Sequence, residues 1–319
     1  MRLFEKNWPF VMMCGLIVAV LLFTPFIASA QTPGGKPAFQ VMVAAGTYTF
    51  EGFGSVQQVD VDIDANRVAG GDLTYGTGWI VDMARTQNGF VTMNNDGEIF
   101  VYKNEAPAVP DEKYAAPNAM SIAVQGKTFL LPRYSGYVVR AVRGPQGLRT
   151  TALNKAVEIP AASITVTSDD YLVSYGQNDH RVVVDAIGVG GKLDRVNEFN
   201  GLETAFILAM SIAEDDLFVL GYHGGDTSCT LWQFKNFTEG GDIEPVALAV
   251  GVPTNPQFGG GNIMSAVFAA DGSLGVFLLD NSNEGSVLRL FQPGIGVRKV
   301  TSDSGFRYTA VRAFPADVQ

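Results

Sequence analysis

Two cysteines (Cys14 and Cys229) and two histidines (His180 and His223) are all that this 319-residue chain offers to thiol, imidazole and transition-metal chemistry. A zinc centre needs a local set of three or four such ligands, which this sequence does not supply. No Gly-x-Ser-x-Gly turn stands near either histidine, so a serine nucleophile has no recognisable setting. Phosphate loops and dinucleotide fingerprints are also missing. Basic residues are scarce, 22 against 32 acidic ones. That balance argues against nucleic acid and anionic lipid as partners, because phosphate binding needs clustered Lys and Arg. Helical periodicity is absent beyond the N-terminal region, apart from room for one turn within residues 197–213.

The first thirty residues read as a targeting segment. Arg2 and Lys6 give a basic start, Phe10–Ile27 is an uncharged apolar run, and Ala28-Ser29-Ala30 is an A-x-A-type cleavage site before Gln31. Retained, the same run is long enough to anchor the chain in a bilayer. Cleavage removes two bases and one acid and takes the net charge from −10 to −11. The cleaved chain keeps Cys229 alone, so no internal disulfide can form. An extracytoplasmic protein without staples must rely on a large apolar core, which hydrophobic residues at 47% can build. Residues 31–38 read as a linker.

From residue 39 onward the sequence is organised by a recurring phrase: Val81-Asp-Met-Ala84, Met120-Ser-Ile-Ala123, Ala162-Ser-Ile-Thr165, Met210-Ser-Ile-Ala213, Met264-Ser-Ala-Val267 and Tyr308-Thr-Ala-Val311. After each of the first five come a turn, a second apolar strand, a polar hairpin and a third strand. This is the plan of a four-stranded antiparallel blade. The sixth copy has no room for three further strands, and the strands near residues 39–64 have no phrase of their own. Joining the two ends completes a sixth blade and closes a ring with no open edge between the termini. The long spacing between Ser211 and Ser265 leaves a seventh blade open. The small residues of the phrase suit the crowded axis of such a ring, with Ser121, Ser163, Ser211, Ser265 and Thr309 on one face. Asp82 puts a carboxylate where the others have a hydroxyl, as either a paired axial acid or a ligand.

With this pattern the chain resembles the six-bladed β-propeller class, the broad group of NHL-type, TolB-type and gluconolactonase-type propellers. The resemblance rests on the repeat and implies an all-β fold over residues 39–319. It also implies a binding rim made of the hairpins between second and third strands and the segments leading into each phrase. The rim candidates are Trp79, Asp82, Asn118, Arg133, Tyr134, His180, Glu203, His223, Asp226 and Asn262. Gluconolactonase-like propellers hold a divalent cation at the axis. The matching oxygen donors here are Asp82, Asn118, Glu203 and Asn262, suited to Ca²⁺ or Mg²⁺. Glu203 stands seven residues before Met210, whereas Asn118 and Asn262 stand two before Met120 and Met264. Asp60, Asp62, Asp64 and Asn66 look like the opening of a calcium loop, but Ala65 and Gly71 stand where glycine and an acid are required. A strand with one acidic face explains them better. The expectation is an exported, non-catalytic binding module for a protein partner, with no cofactor. A Ca²⁺- or Mg²⁺-dependent hydrolase and a membrane-anchored subunit of an envelope assembly are the alternatives.

Overall fold

The computed structural model describes residues 36–316, apart from 47–53, 76–77, 87–88, 104–109, 117, 134–136, 145–146, 152–162, 204, 225, 227, 254–261, 283–284 and 304–306. The chain divides into two units, Met1–Gln31 and Thr32–Gln319, and the described residues belong to the second. The targeting segment, Cys14 and Tyr134 therefore lie outside them.

Twenty-four strands follow one another along the chain. β1 (Phe39–Gly46), β2 (Gly54–Val61) and β3 (Arg67–Tyr75) come first. β4 (Ile80–Thr86), β5 (Gly89–Asn94), β6 (Glu98–Lys103) and β7 (Glu112–Ala115) form blade II. Blade III contains β8 (Ala123–Gln125), β9 (Thr128–Arg133), β10 (Tyr137–Gly144) and β11 (Gly147–Thr151). Blade IV contains β12 (Ser163–Thr167), β13 (Tyr171–Gly176), β14 (Arg181–Gly188) and β15 (Lys192–Asn200). Blade V contains β16 (Ala205–Ala213), β17 (Asp216–His223), β18 (Cys229–Phe234) and β19 (Val246–Val252). Blade VI contains β20 (Met264–Phe268), β21 (Leu274–Ser282), β22 (Gly285–Gln292) and β23 (Gly296–Asp303). The last strand, β24 (Arg307–Pro315), pairs antiparallel with β1 and is the inner strand of blade I, in the order β24-β1-β2-β3.

The fold is thus an all-β propeller of six four-stranded antiparallel blades, closed by the two ends of the chain. Blade V fills the long interval between Ser211 and Ser265, so no seventh blade forms. Among the described residues the helical content is one 3₁₀ turn, Val189–Gly191. Residues 192–200 and 205–213 are strands and not the expected helical turn, because Leu193, Asn197 and Phe199 are buried in a two-residue alternation.

Blade II shows how local chemistry sets a hairpin. Asn94 Oδ1 accepts the amides of Asp96 and Glu98 at 3.1 and 2.9 Å, and Gly97 takes φ +73°. The acidic run behaves differently from a plain strand. β2 stops at Val61, and Asp62 then accepts the Asn66 amide at 2.8 Å while Ala65 adopts φ 63°. A side-chain-capped turn takes the place of further alternation.

The core lies between blades. Phe39 of β1 meets Phe277 of β21 edge-on, ring centres 5.4 Å apart, inside a cluster that joins blades I, V and VI. Cys229 is buried in that cluster with Leu231, as its alternation predicts. Each buried aromatic or aliphatic side chain of this kind contributes roughly 1.5–3 kcal/mol.

Candidate functional site at the axis and rim

The blade order fixes two ends of the ring. The hairpin end carries the second-to-third-strand hairpins and the segments leading into the inner strands. The turn end carries the first-to-second-strand turns.

At the axis, the phrase residues bond one blade to the next. Asp82 Oδ1 accepts the Met83 amide at 2.8 Å, and Asp82 Oδ2 accepts the Ile122 amide of blade III at 2.9 Å. Ser121 Oγ and Thr165 Oγ1 lie 3.2 Å apart between blades III and IV. Ser211 Oγ accepts the Ala266 amide at 2.8 Å, and Ser265 Oγ accepts the Ala313 amide at 2.9 Å. Thr309 departs from this pattern, being fully buried with no hydrogen-bond partner for its hydroxyl. The small polar residue therefore does more than fit a crowded axis. At Ser211 and Ser265 it accepts an inner-strand amide that the neighbouring blade's own ladder leaves over.

Two groups reach across the channel. Arg312 of blade I donates through Nη2 to the Thr167 carbonyl of blade IV at 2.6 Å, bridging opposite sides of the ring. Asn262, ahead of β20, donates its amide to Val81 O and accepts from the Val311 amide, both at 2.8 Å, so its backbone is fixed between β4 and β24. Burial pushes the Asp82 carboxyl above the usual carboxylate range, against the pull of Arg312 and of the Ile122 and Met83 amides.

Among the described residues, a concavity lies on the axis at the turn end. Adjoining cavities of about 250 and 320 Å³ share Ser168, Asp169, Arg312, Phe314 and Pro315. Arg85 lines the first, its guanidinium 4.8 Å from the centre of the Phe314 ring and 2.8 Å from Gln40 Oε1. Glu214, Ser211 and Ser265 line the second. Sequence reasoning missed Arg312. Its signal was a second charge, after Arg307, in an inner strand.

The rim candidates separate into distinct environments. Trp79 and Asp82 are buried: the indole packs in the cluster that joins blades II and III, and Asp82 is only 3% exposed. Asn118 is exposed in a left-handed turn at φ 63°, and Glu203 is exposed beside the half-buried Gly201. Asn262 is half-buried next to β4, so of the four proposed metal donors it is the one brought beside the strand of Asp82. No cluster of three acidic, histidine or cysteine side chains capable of holding a metal ion occurs among the described residues. His180 is half-buried at φ 53°, with Nδ1 lacking a partner. Arg133 lies over the Tyr137 ring at 5.5 Å and donates to its hydroxyl at 3.2 Å.

Blade V gives the rim its aromatic character. Phe206 is 57% exposed and stacks on Tyr222, ring centres 5.5 Å apart. Next to Tyr222, the exposed His223 meets Trp232 edge-on at 5.7 Å, and its amide is capped by Asp226 Oδ2 at 3.2 Å. Phe206 was hidden in the continuous apolar run Ala205–Ala213, where only the buried alternation of Ala205, Ile207 and Ala209 reveals that it points outward. No described helix is long and apolar enough to cross a membrane.

No protein-family model and no curated protein matches the sequence. Solved structures do match. TolB from Acinetobacter baumannii aligns with a TM-score of 0.59 at 10% identity, over 98% of this chain and 74% of that one. A protein from Lactobacillus plantarum aligns at 0.53 and 14%, over 86% and 99%. A functionally unknown protein from Desulfotomaculum acetoxidans aligns at 0.51 and 13%, over 84% and 89%. At such identities the likeness is one of fold, and the fold it establishes is the six-bladed β-propeller.

Proposed function

We propose that this chain is an exported, non-catalytic binding module that holds a protein partner against the hairpin end of the ring. The observation that carries this reading is the exposed Phe206–Tyr222 stack, flanked by His223 and Asp226 on one rim. Rigid aromatic side chains with polar neighbours are the groups that dominate protein interfaces, because they contribute large contact area at small entropic cost. The basic, apolar and A-x-A order of residues 1–30 supports export. At the axis, Asp82, Ser211 and Ser265 already accept amides from the chain.

A photo-crosslinker placed at residue 206 in the native envelope tests the reading. One dominant protein adduct, lost in a Tyr222→Ala variant and absent when the crosslinker sits at residue 170, is the expected result. No specific adduct overturns it. The hydrolase alternative, with Asp82, Asn118, Glu203 and Asn262 around Ca²⁺ or Mg²⁺, is separated by thermal unfolding with EDTA and then with added ion. A saturable rise in midpoint on adding the ion favours the metal site over the non-catalytic reading, since a ligand bound only by the native state must raise it. N-terminal sequencing of native material decides between a cleaved leader and a retained anchor.

A further inference from the structure

Six strands form the outer edges of the blades: β3, β7, β11, β15, β19 and β23. Five of them carry charge. β3 has Arg67 and Asp72, β7 has Glu112 and Lys113, and β11 has Arg149. β15 has Lys192, Asp194, Arg195 and Glu198, and β23 has Arg298, Lys299 and Asp303. β19, Val-Ala-Leu-Ala-Val-Gly-Val, has none, and the sequence carries no charge between Glu244 and Asp271. An unpaired strand edge offers a row of free N–H and C=O groups, and charged side chains are the usual guard against a second chain adding to it. On β19 that guard is missing, and Val246 and Val250 are 50% and 79% exposed. Two irregularities opposite β18 bend the strand, so the available edge is short and any pairing it makes is weak.

We propose that β19 is a self-association edge, on which two copies of this chain pair antiparallel about a two-fold axis. Charge selects a second copy as the occupant. The chain is acidic overall, at net −10, so two copies repel, and the uncharged β19 is the outer edge at which that repulsion is least. The acids nearest β19 in sequence, Glu239, Asp242 and Glu244, all stand on its N-terminal side. Antiparallel pairing sets each of these flanks against the uncharged Val250–Pro253 of the other copy. Parallel pairing would set acid on acid. A two-fold contact of this kind is self-complementary and closes at two subunits. The resulting dimer carries two rims, so a partner with repeated epitopes is held with increased avidity.

Light scattering and sedimentation of the purified mature chain, from about 1 µM to about 100 µM, test the proposal over the range of a weak interface. The expected result is a concentration-dependent monomer–dimer equilibrium. A Val250→Glu variant, which sets acid against the acidic flank of the other copy, stays monomeric at the highest concentration with an unchanged unfolding midpoint. Amide hydrogen exchange in β19 slows with concentration in the parent chain and not in the variant. A parent chain that remains monomeric at about 100 µM overturns the proposal. So does a dimer that survives Val250→Glu, or an open-ended series of larger species. A Phe206→Ser variant is expected to dimerise like the parent, so failure of the rim reading and failure of this one are separately visible.

Discussion

Arg312 and Asp82 stand on inner strands of adjacent blades and act on the same part of the axis. Asp82 holds two backbone amides in a place where its own charge is poorly solvated, and Arg312 supplies the nearest counter-charge while bracing the opposite blade. Asp82→Asn turns an amide NH₂ toward a backbone donor, and about 2–4 kcal/mol of stability is expected to go. Arg312→Ala is expected to cost about 2 kcal/mol through its charge-assisted bond. The double variant should lose less than the sum, because the two groups share one electrostatic interaction. The pH dependence has a definite sign. Burial raises the folded-state value of Asp82, so between the ordinary carboxylate range and that raised value the native state binds more protons than the unfolded chain. Stability contributed by this site therefore falls as pH rises through that window. Urea unfolding across the window should show the slope flattened in Asp82→Asn and steepened in Arg312→Ala. Tyr175 is a second test at this scale. Its hydroxyl donates to Leu202 O at 3.0 Å and accepts the Leu202 amide at 2.6 Å, and burial pushes it up to about 12. Tyr175→Phe leaves two buried backbone groups of the blade V lead-in unpaired, an expected loss of about 1–3 kcal/mol by urea titration.

Among the elements, β8 departs furthest from what its phrase predicts. The sequence suggests an inner strand beginning at Met120, yet the strand begins at Ala123. Met120 donates its amide to Pro132 O at 2.8 Å, but proline has no N–H with which to return the bond. The ladder starts only past this interruption. β24 shows the opposite behaviour: a phrase with no strands after it finds them at the other end of the chain, paired with β1 from Phe39 to Gly46 with one register shift between Ala44 and Ala45. Removing residues 307–319 strips blade I of its inner strand and takes Arg312 and Tyr308 with it. Loss of the single cooperative unfolding transition is expected, as read by circular dichroism and calorimetry together. A truncated chain that still unfolds cooperatively would mean that the other five blades are stable as an open arc.

For the whole molecule, the architecture was legible in the sequence, because blade geometry is written locally. Alternating apolar residues set each strand, Gly and Asn set each turn, and the repeat of small polar residues marks each inner strand, so ring closure could be read and the blades narrowed to six or seven, which the sheet order resolves as six. The sequence alone also set the acidic character of the chain and the scarcity of imidazole and thiol ligands. The site was less legible. Trp79, read as a rim aromatic, is buried, whereas Phe206, which the sequence reading did not single out, is exposed on the rim. Both stand where a strand begins, and there one position decides which face a side chain occupies. The contacts across the axis needed the folded ring, because Arg312 reaches blade IV over 145 residues and Asn262 crosses to β4 between non-sequential blades. The tertiary structure alone also left β19 as an outer edge without charge, since no local pattern tells an edge strand from one with neighbours on both sides.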